Sequence, residues 1–185
     1  MPPVAEDPIA RTRQWMERAV IGLNLCPFAK AVAVRDQVRF VLSEATTPEA
    51  LLEDLARELV YLRDADPGQT DTTLLVHPQV LGDFLDYNDF LGVADALVED
   101  MGLEGVLQVA SFHPDYRFEG AAPGDIANAT NRSPYPTLHL LREDSVAEAV
   151  RAHGDTEAIY QANIRRLEQL GEEGWARLRR SIDDA

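Results

Sequence analysis

The sequence predicts an α/β domain: a small mixed four-stranded sheet with flanking helices and a helical C-terminus. Short apolar, β-branched runs alternate with helical patterns in the order strand, helix, strand, helix, strand. The last stretch, residues 144–185, carries helical periodicity alone. With 45% hydrophobic residues over 185 positions, one continuous core can form without disulfides or metals. We read 1–185 as a single domain, with 144–185 a helical extension packed on it. A ferredoxin-like sandwich is the alternative, with a poorer match in element order.

The elements follow in chain order. Prolines 2, 3 and 8 keep the start extended until a helix opens near Ile9, with Trp15, Met16, Ala19 and Val20 on its apolar side. It stops at Gly22 or before Pro27, because a residue preceding proline resists the α region. Gln37–Leu42 alternates as a strand. Pro48–Leu62 is a helix capped by Thr46 or Thr47, with Leu51, Leu52, Leu55, Leu59 and Leu62 on one face. Asp71–His77 is a short buried strand ended by Pro78. Phe84, Tyr87, Leu91, Ala94, Leu97, Val98 and Met101 form a helical stripe that Gly102 closes, with Gly92 weakening its middle. Gly105–Phe112 is the third strand and Thr137–Leu141 the fourth, returning antiparallel at an edge. Residues 113–136 between them have four prolines and no periodicity, and read as a long ordered loop. Ser145–His153, Thr156–Leu170 and Glu173–Ile182 are helices separated at Gly154-Asp155 and Gly171.

The formal charge of −15, from 32 acidic and 17 basic residues, repels nucleic acid and anionic membrane surfaces. Lys30 is the only lysine, and Arg165, Arg166, Arg177, Arg179 and Arg180 alternate with carboxylates as a solvated helical face. No apolar run is long enough to span a membrane, and the first residues lack a secretory pattern, so a cytoplasmic location is the default expectation. One cysteine excludes an internal disulfide and any paired-cysteine site. Phosphate-loop, dinucleotide, His-Glu-x-x-His and Gly-x-Ser-x-Gly motifs are all missing.

Chemistry concentrates in the loop. His113 follows a strand directly and is a candidate general base, held by Asp115 or Glu119. Arg117 and Arg132 suit a carboxylate or phosphate, with Asn131 and Asn128 as further ligand-binding candidates. The same arginines and asparagines also suit a purely structural role in pinning the loop. Cys26 lies at the break before Pro27. If residues 27–30 begin a helix, its amides and Lys30 would lower the thiol pKa and make a nucleophile. A small core residue is the competing reading. Cys26, His113 and His139 form a candidate set for zinc or iron, resting on residue type alone. His77 ends a strand much as His113 does, and His153 reads as an exposed helix-end residue.

Three segments carry a family resemblance: Leu23-Asn24-Leu25-Cys26-Pro27-Phe28-Ala29, Phe112-His113-Pro114-Asp115-Tyr116, and Asn131-Arg132-Ser133-Pro134-Tyr135-Pro136 running on to Leu141-Arg142-Glu143. They resemble a bacterial family of unknown function, the domain of unknown function 1415, over nearly the whole chain. The resemblance implies a small stand-alone protein and transfers no reaction. The expected function is therefore a small cytosolic enzyme, hydrolase or transferase, acting on an anionic metabolite through a His/Cys centre and an arginine-lined pocket. A non-catalytic ligand-binding protein and a mononuclear zinc or iron site are the alternatives. An interaction protein whose C-terminal helices form the contact, with Trp175 and Leu178 then exposed in the monomer, is a further reading, and so is a homo-oligomer.

Overall fold

A computed structural model describes residues 6–184. The extended start expected at Pro2 and Pro3 lies outside them. Asp7 caps helix α1 (Pro8–Trp15) by accepting from the Ile9 and Ala10 amides, and the helix continues as a π-helical turn over Met16–Ile21. A short helix, α2 (Ala29–Val34), follows the Pro27 break. Then come β1 (Val38–Leu42), α3 (Pro48–Asp64), β2 (Thr72–Val76), α4 (Phe84–Asp100), β3 (Leu107–Phe112), a 3-10 turn (Ile126–Asn131), β4 (Thr137–Arg142), α5 (Glu143–His153) and α6 (Thr156–Asp183). Gly92 does not interrupt α4, and a Cβ there would meet nothing within 4 Å.

The four strands lie in the order β1-β2-β4-β3. β1 and β2 are parallel neighbours, and β4 runs antiparallel to both β2 and β3. The sheet is therefore mixed as expected, but β4 fills the gap inside β2–α4–β3 where an edge position had been expected. The parallel β1–β2 pair sets the arrangement apart from the ferredoxin-like alternative. Both crossovers, β1–α3–β2 and β2–α4–β3, step the same way across the sheet. Right-handed connections that step the same way put their helices on the same face. Accordingly, Leu51, Leu55, Leu59 and Leu62 of α3 join Tyr87, Phe90, Ala94 and Val98 of α4 in one core over Leu75, Leu107, Leu138 and Leu140.

The opposite face is covered by α1, its π-helical extension and α6, where Trp15, Ala19, Leu167, Trp175 and Ile182 pack on Leu74 and Ala129. Leu74 and Leu75 are adjacent in β2 yet belong to different cores, because strand side chains alternate between faces. Gly171 breaks α6 at φ 71° and ψ 172°, so Leu167 before it and Trp175 and Ile182 after it all reach the same core. Trp175 is buried and Leu178 packs against the same core, so the interaction contact that required their exposure is not formed by them.

Candidate functional site

β1, β2 and β3 all finish at one end of the sheet, and β2 and β3 are each followed directly by His-Pro. His113 is fully buried. Its Nδ1 accepts the Asp115 amide at 3.0 Å, which places the ring proton on Nε2, and that proton faces the Leu81 carbonyl at 3.0 Å. The neutral ring's only lone pair is already committed, so the general-base role posited for it has no free acceptor. Burial pushes its pKa down. His77, equally buried, donates from Nδ1 to the Val80 carbonyl at 3.0 Å and leaves Nε2 unpartnered. Burial drops the His77 pKa to about 4.

Tyr87 lies between the two rings, with centroids 5.9 Å from His77 and 5.0 Å from His113. Its hydroxyl accepts the Phe112 amide and donates to the Thr137 carbonyl. Together the histidines clamp the connection from β2 to α4, where Leu81 takes a left-handed φ of 59°. Sequence reasoning placed His77 and His113 at comparable strand ends. It missed that both hold one loop, because the shared partner, Tyr87, belongs to a helix stripe and reads as ordinary core.

The long loop is stitched by the polar residues expected to bind a ligand. Asn128 accepts the Phe118 amide (3.0 Å) and donates to the Ala122 carbonyl (2.9 Å). Asn131 donates to the Ser111 carbonyl (2.9 Å), and its own carbonyl accepts the His113 amide (3.1 Å). Asn128 thus spends both side-chain amide atoms on the chain itself, and Asn131 spends its side-chain nitrogen and backbone carbonyl there. Arg132 donates from Nε to Tyr116 and from a terminal nitrogen to Pro123 at 3.0 and 2.9 Å, which leaves part of its fork free. Burial lowers its pKa, Asp115 raises it, and Arg179 lowers it again.

Arg132 borders a cleft of about 520 Å³ between the loop and the start of α4. Arg117, Arg132 and Asp115 line it with Asp83, Phe84 and Leu85, so three residues singled out in the sequence do meet. Arg117 is exposed and has no ion-pair partner among the described residues. Asp83 already caps α4 by accepting the Leu85 and Asp86 amides, so the helix end adds little free donor capacity.

Cys26 lies elsewhere. It packs at the margin of the α1/α6 core, whereas the His113 ring faces α4, and the sheet separates them. Residues after Pro27 do turn helical, and the Phe28 and Ala29 amides pull the thiol pKa down, but burial outweighs them and the net shift is upward. The activated thiol expected from helix onset is thus reversed by desolvation. His139 turns onto the α1/α6 face, where its Nε2 donates to Thr72 at 2.8 Å and the Thr72 hydroxyl donates on to Leu140. Burial lowers its pKa to about 4. Among the described residues no group of three His, Cys, Asp or Glu side chains could hold a metal ion, so the Cys26–His113–His139 set for zinc or iron does not assemble.

A family model described as a protein of unknown function, DUF1415, matches residues 7–177. The chain belongs to the DUF1415 family. No curated protein and no solved structure matches it. The match spans all three segments that carried the resemblance, and in this DUF1415 chain two of them are bonded to each other. The His113 segment and the Asn131–Arg132 segment are joined through His113 to Asn131, Asn131 to Ser111, and Arg132 to Tyr116. The Cys26 segment is held separately, by Asn163 of α6 donating to the Leu25 carbonyl at 2.7 Å. Among the described residues of the DUF1415 chain no helix is long and apolar enough to cross a membrane.

Proposed function

We propose that this protein binds a small molecule bearing a single carboxylate or phosphate group in the cleft between the long loop and α4. The carrying observation is that Arg117 and Arg132, from opposite halves of the long loop, line one cleft and retain unspent guanidinium donors. Asp83 and Asp115 line it too, which counts against a polyphosphate and favours a ligand with one anionic group beside a polar or cationic one. Binding without a chemical step is the reading we favour over hydrolysis or group transfer. Its support is that Cys26 and His113 lie on opposite sides of the sheet, that burial pushes the Cys26 thiol pKa up, and that the one lone pair of the neutral His113 ring is spent on the Asp115 amide.

The test is titration of inorganic phosphate and of acetate into isotope-labelled protein, followed by amide and arginine Nε–H resonances. Phe84, Asp115 and Arg117 signals should move together and saturate. Arg117→Ala should weaken the affinity about tenfold with an unchanged melting temperature, because that side chain holds no part of the fold. Shifts that fall outside the cleft, or that survive Arg117→Ala undiminished, would overturn the reading.

A further inference from the structure

β3 is an edge strand, and one stretch of its outer side is unpaired. Backbone groups of alternate residues face opposite ways in an antiparallel ladder. Val106 and Phe112 face β4: the Glu143 amide donates to the Val106 carbonyl at 3.0 Å, and the Tyr87 hydroxyl links the Phe112 amide to Thr137. Leu107, Val109, Ser111 and His113 therefore face outward. The ends of that outward row are taken. The Leu107 amide donates to Leu103, the Ser111 carbonyl accepts from Asn131, and the His113 amide donates to the Asn131 carbonyl. Between them the Leu107 carbonyl, both Val109 groups and the Ser111 amide have no partner among the described residues.

Nothing in the strand guards this row. Leu107–Phe112 contains neither charge nor proline, the usual protections of an edge, and Gln108 to Phe112 are all partly exposed. On the α4 side a cleft of about 410 Å³ runs beside it, lined by Leu107 and Val109 and walled by Asp95, Glu99, Glu104 and Glu143. None of these four carboxylates has a cationic side chain within 4.0 Å among the described residues. Gly92 and Ala96 keep the α4 wall of this cleft low.

We propose that the β3 edge receives an extended basic segment of a partner protein as a fifth strand. The segment pairs with the free Val109 and Ser111 groups, and its alternate Lys or Arg side chains enter the cleft between Asp95 and Glu99. Charge selects this occupant over a second copy of the chain. Pairing β3 with itself would bring the same carboxylates of two molecules, each of formal charge −15, to one shared edge. The proposal is independent of the arginine cleft, which lies at the other end of α4.

The experiment uses a fluorescent, end-blocked octapeptide of alternating lysine and valine, with a glutamate–valine peptide as control. Saturable binding of the lysine peptide alone is expected, with slowed hydrogen exchange at the Val109 and Ser111 amides. Asp95→Lys and Glu99→Lys, on the exposed side of α4, should each weaken it at least tenfold. Val109→Pro removes an outward N–H without touching the β4 ladder and should abolish the exchange protection at the remaining Ser111 amide. Should Val109→Pro fail to fold, the two charge reversals and the exchange data still decide. Binding without protection at those two amides would be general attraction to an acidic surface, and would overturn the proposal. So would absence of binding, or a dimer by sedimentation that Asp95→Lys strengthens.

Discussion

His77 and His139 are the side chains whose ionisation matters most to this fold. Burial holds both near pKa 4, against about 6.5 in an unfolded chain. Above pH about 6.5 both rings are neutral whether the chain is folded or not, and their contribution is fully present. Below that, the unfolded chain takes up protons that the folded chain refuses until about pH 4. Stability should therefore fall as pH drops through this window, by roughly 3 kcal/mol for each ring over the whole interval. Urea titrations from pH 7 to pH 4 would show the decline, and His139→Gln should make it shallower. A pH-independent urea midpoint would mean that neither ring is buried neutral. His113 makes a separate prediction. Replacing it with alanine strands the Leu81 carbonyl and the Asp115 amide and opens a hole beside Phe84 and Tyr87. A loss of about 3 kcal/mol is expected by chemical denaturation, with phosphate still binding the arginine cleft in the folded fraction.

Among the elements, α6 and the long loop depend on single positions. Gly171 has φ 71° and ψ 172°, a region essentially reserved for glycine, and no neighbouring atom would obstruct a Cβ there. Gly171→Ala should thus cost about 1–3 kcal/mol through backbone strain alone, read as a lower melting temperature. The damage should appear as faster hydrogen exchange in residues 172–183, because the kink brings Trp175 and Ile182 back to the core. The loop offers a contrast. Its order comes from side chains that replace the missing ladder, chiefly Asn128, Asn131 and Arg132. Asn128 is buried with both amide atoms paired, so Asn128→Leu should strand the Phe118 amide and the Ala122 carbonyl and loosen residues 116–128 before the sheet is affected.

For the whole molecule, charge is the dominant collective property. Thirty-two acidic residues face 17 basic ones, and only four ion pairs form within 4.0 Å among the described residues. Carboxylate repulsion therefore opposes the compact state, and salt screens it. Melting temperature should rise between about 0.05 M and about 0.5 M potassium chloride, where the Debye length shrinks from about 14 to about 4 Å. A fall with salt would mean that attractive pairs outweigh the net repulsion. The layered architecture itself rests on two apolar cores that share one sheet, so Leu55→Ala, at a fully buried α3 position, should cost about 2–5 kcal/mol.

Periodicity and turn chemistry in the sequence were enough to locate all four strands and both long crossover helices, because each depends on residues a few positions apart. The α3 cap to within Thr46 or Thr47, Gly102 at the α4 end and the break at Gly171 were legible for the same reason, and the cap is Thr47. The net charge and the missing motifs were legible as composition. Strand order was not, since β4 could occupy an edge or a gap with the same local pattern. Nor was the fate of the candidate site. Arg117, Arg132 and Asp115 meet only because the loop folds back to α4, and the side chains that fold it back are themselves the residues that looked like ligands. Cys26 and His113 are kept apart by the sheet, and desolvation then reverses the thiol's expected ionisation. Local sequence determines which residues can bury, turn or pair. Which polar groups remain free for a ligand is decided only after every buried donor and acceptor has found its partner, and those partners lie far away in the chain.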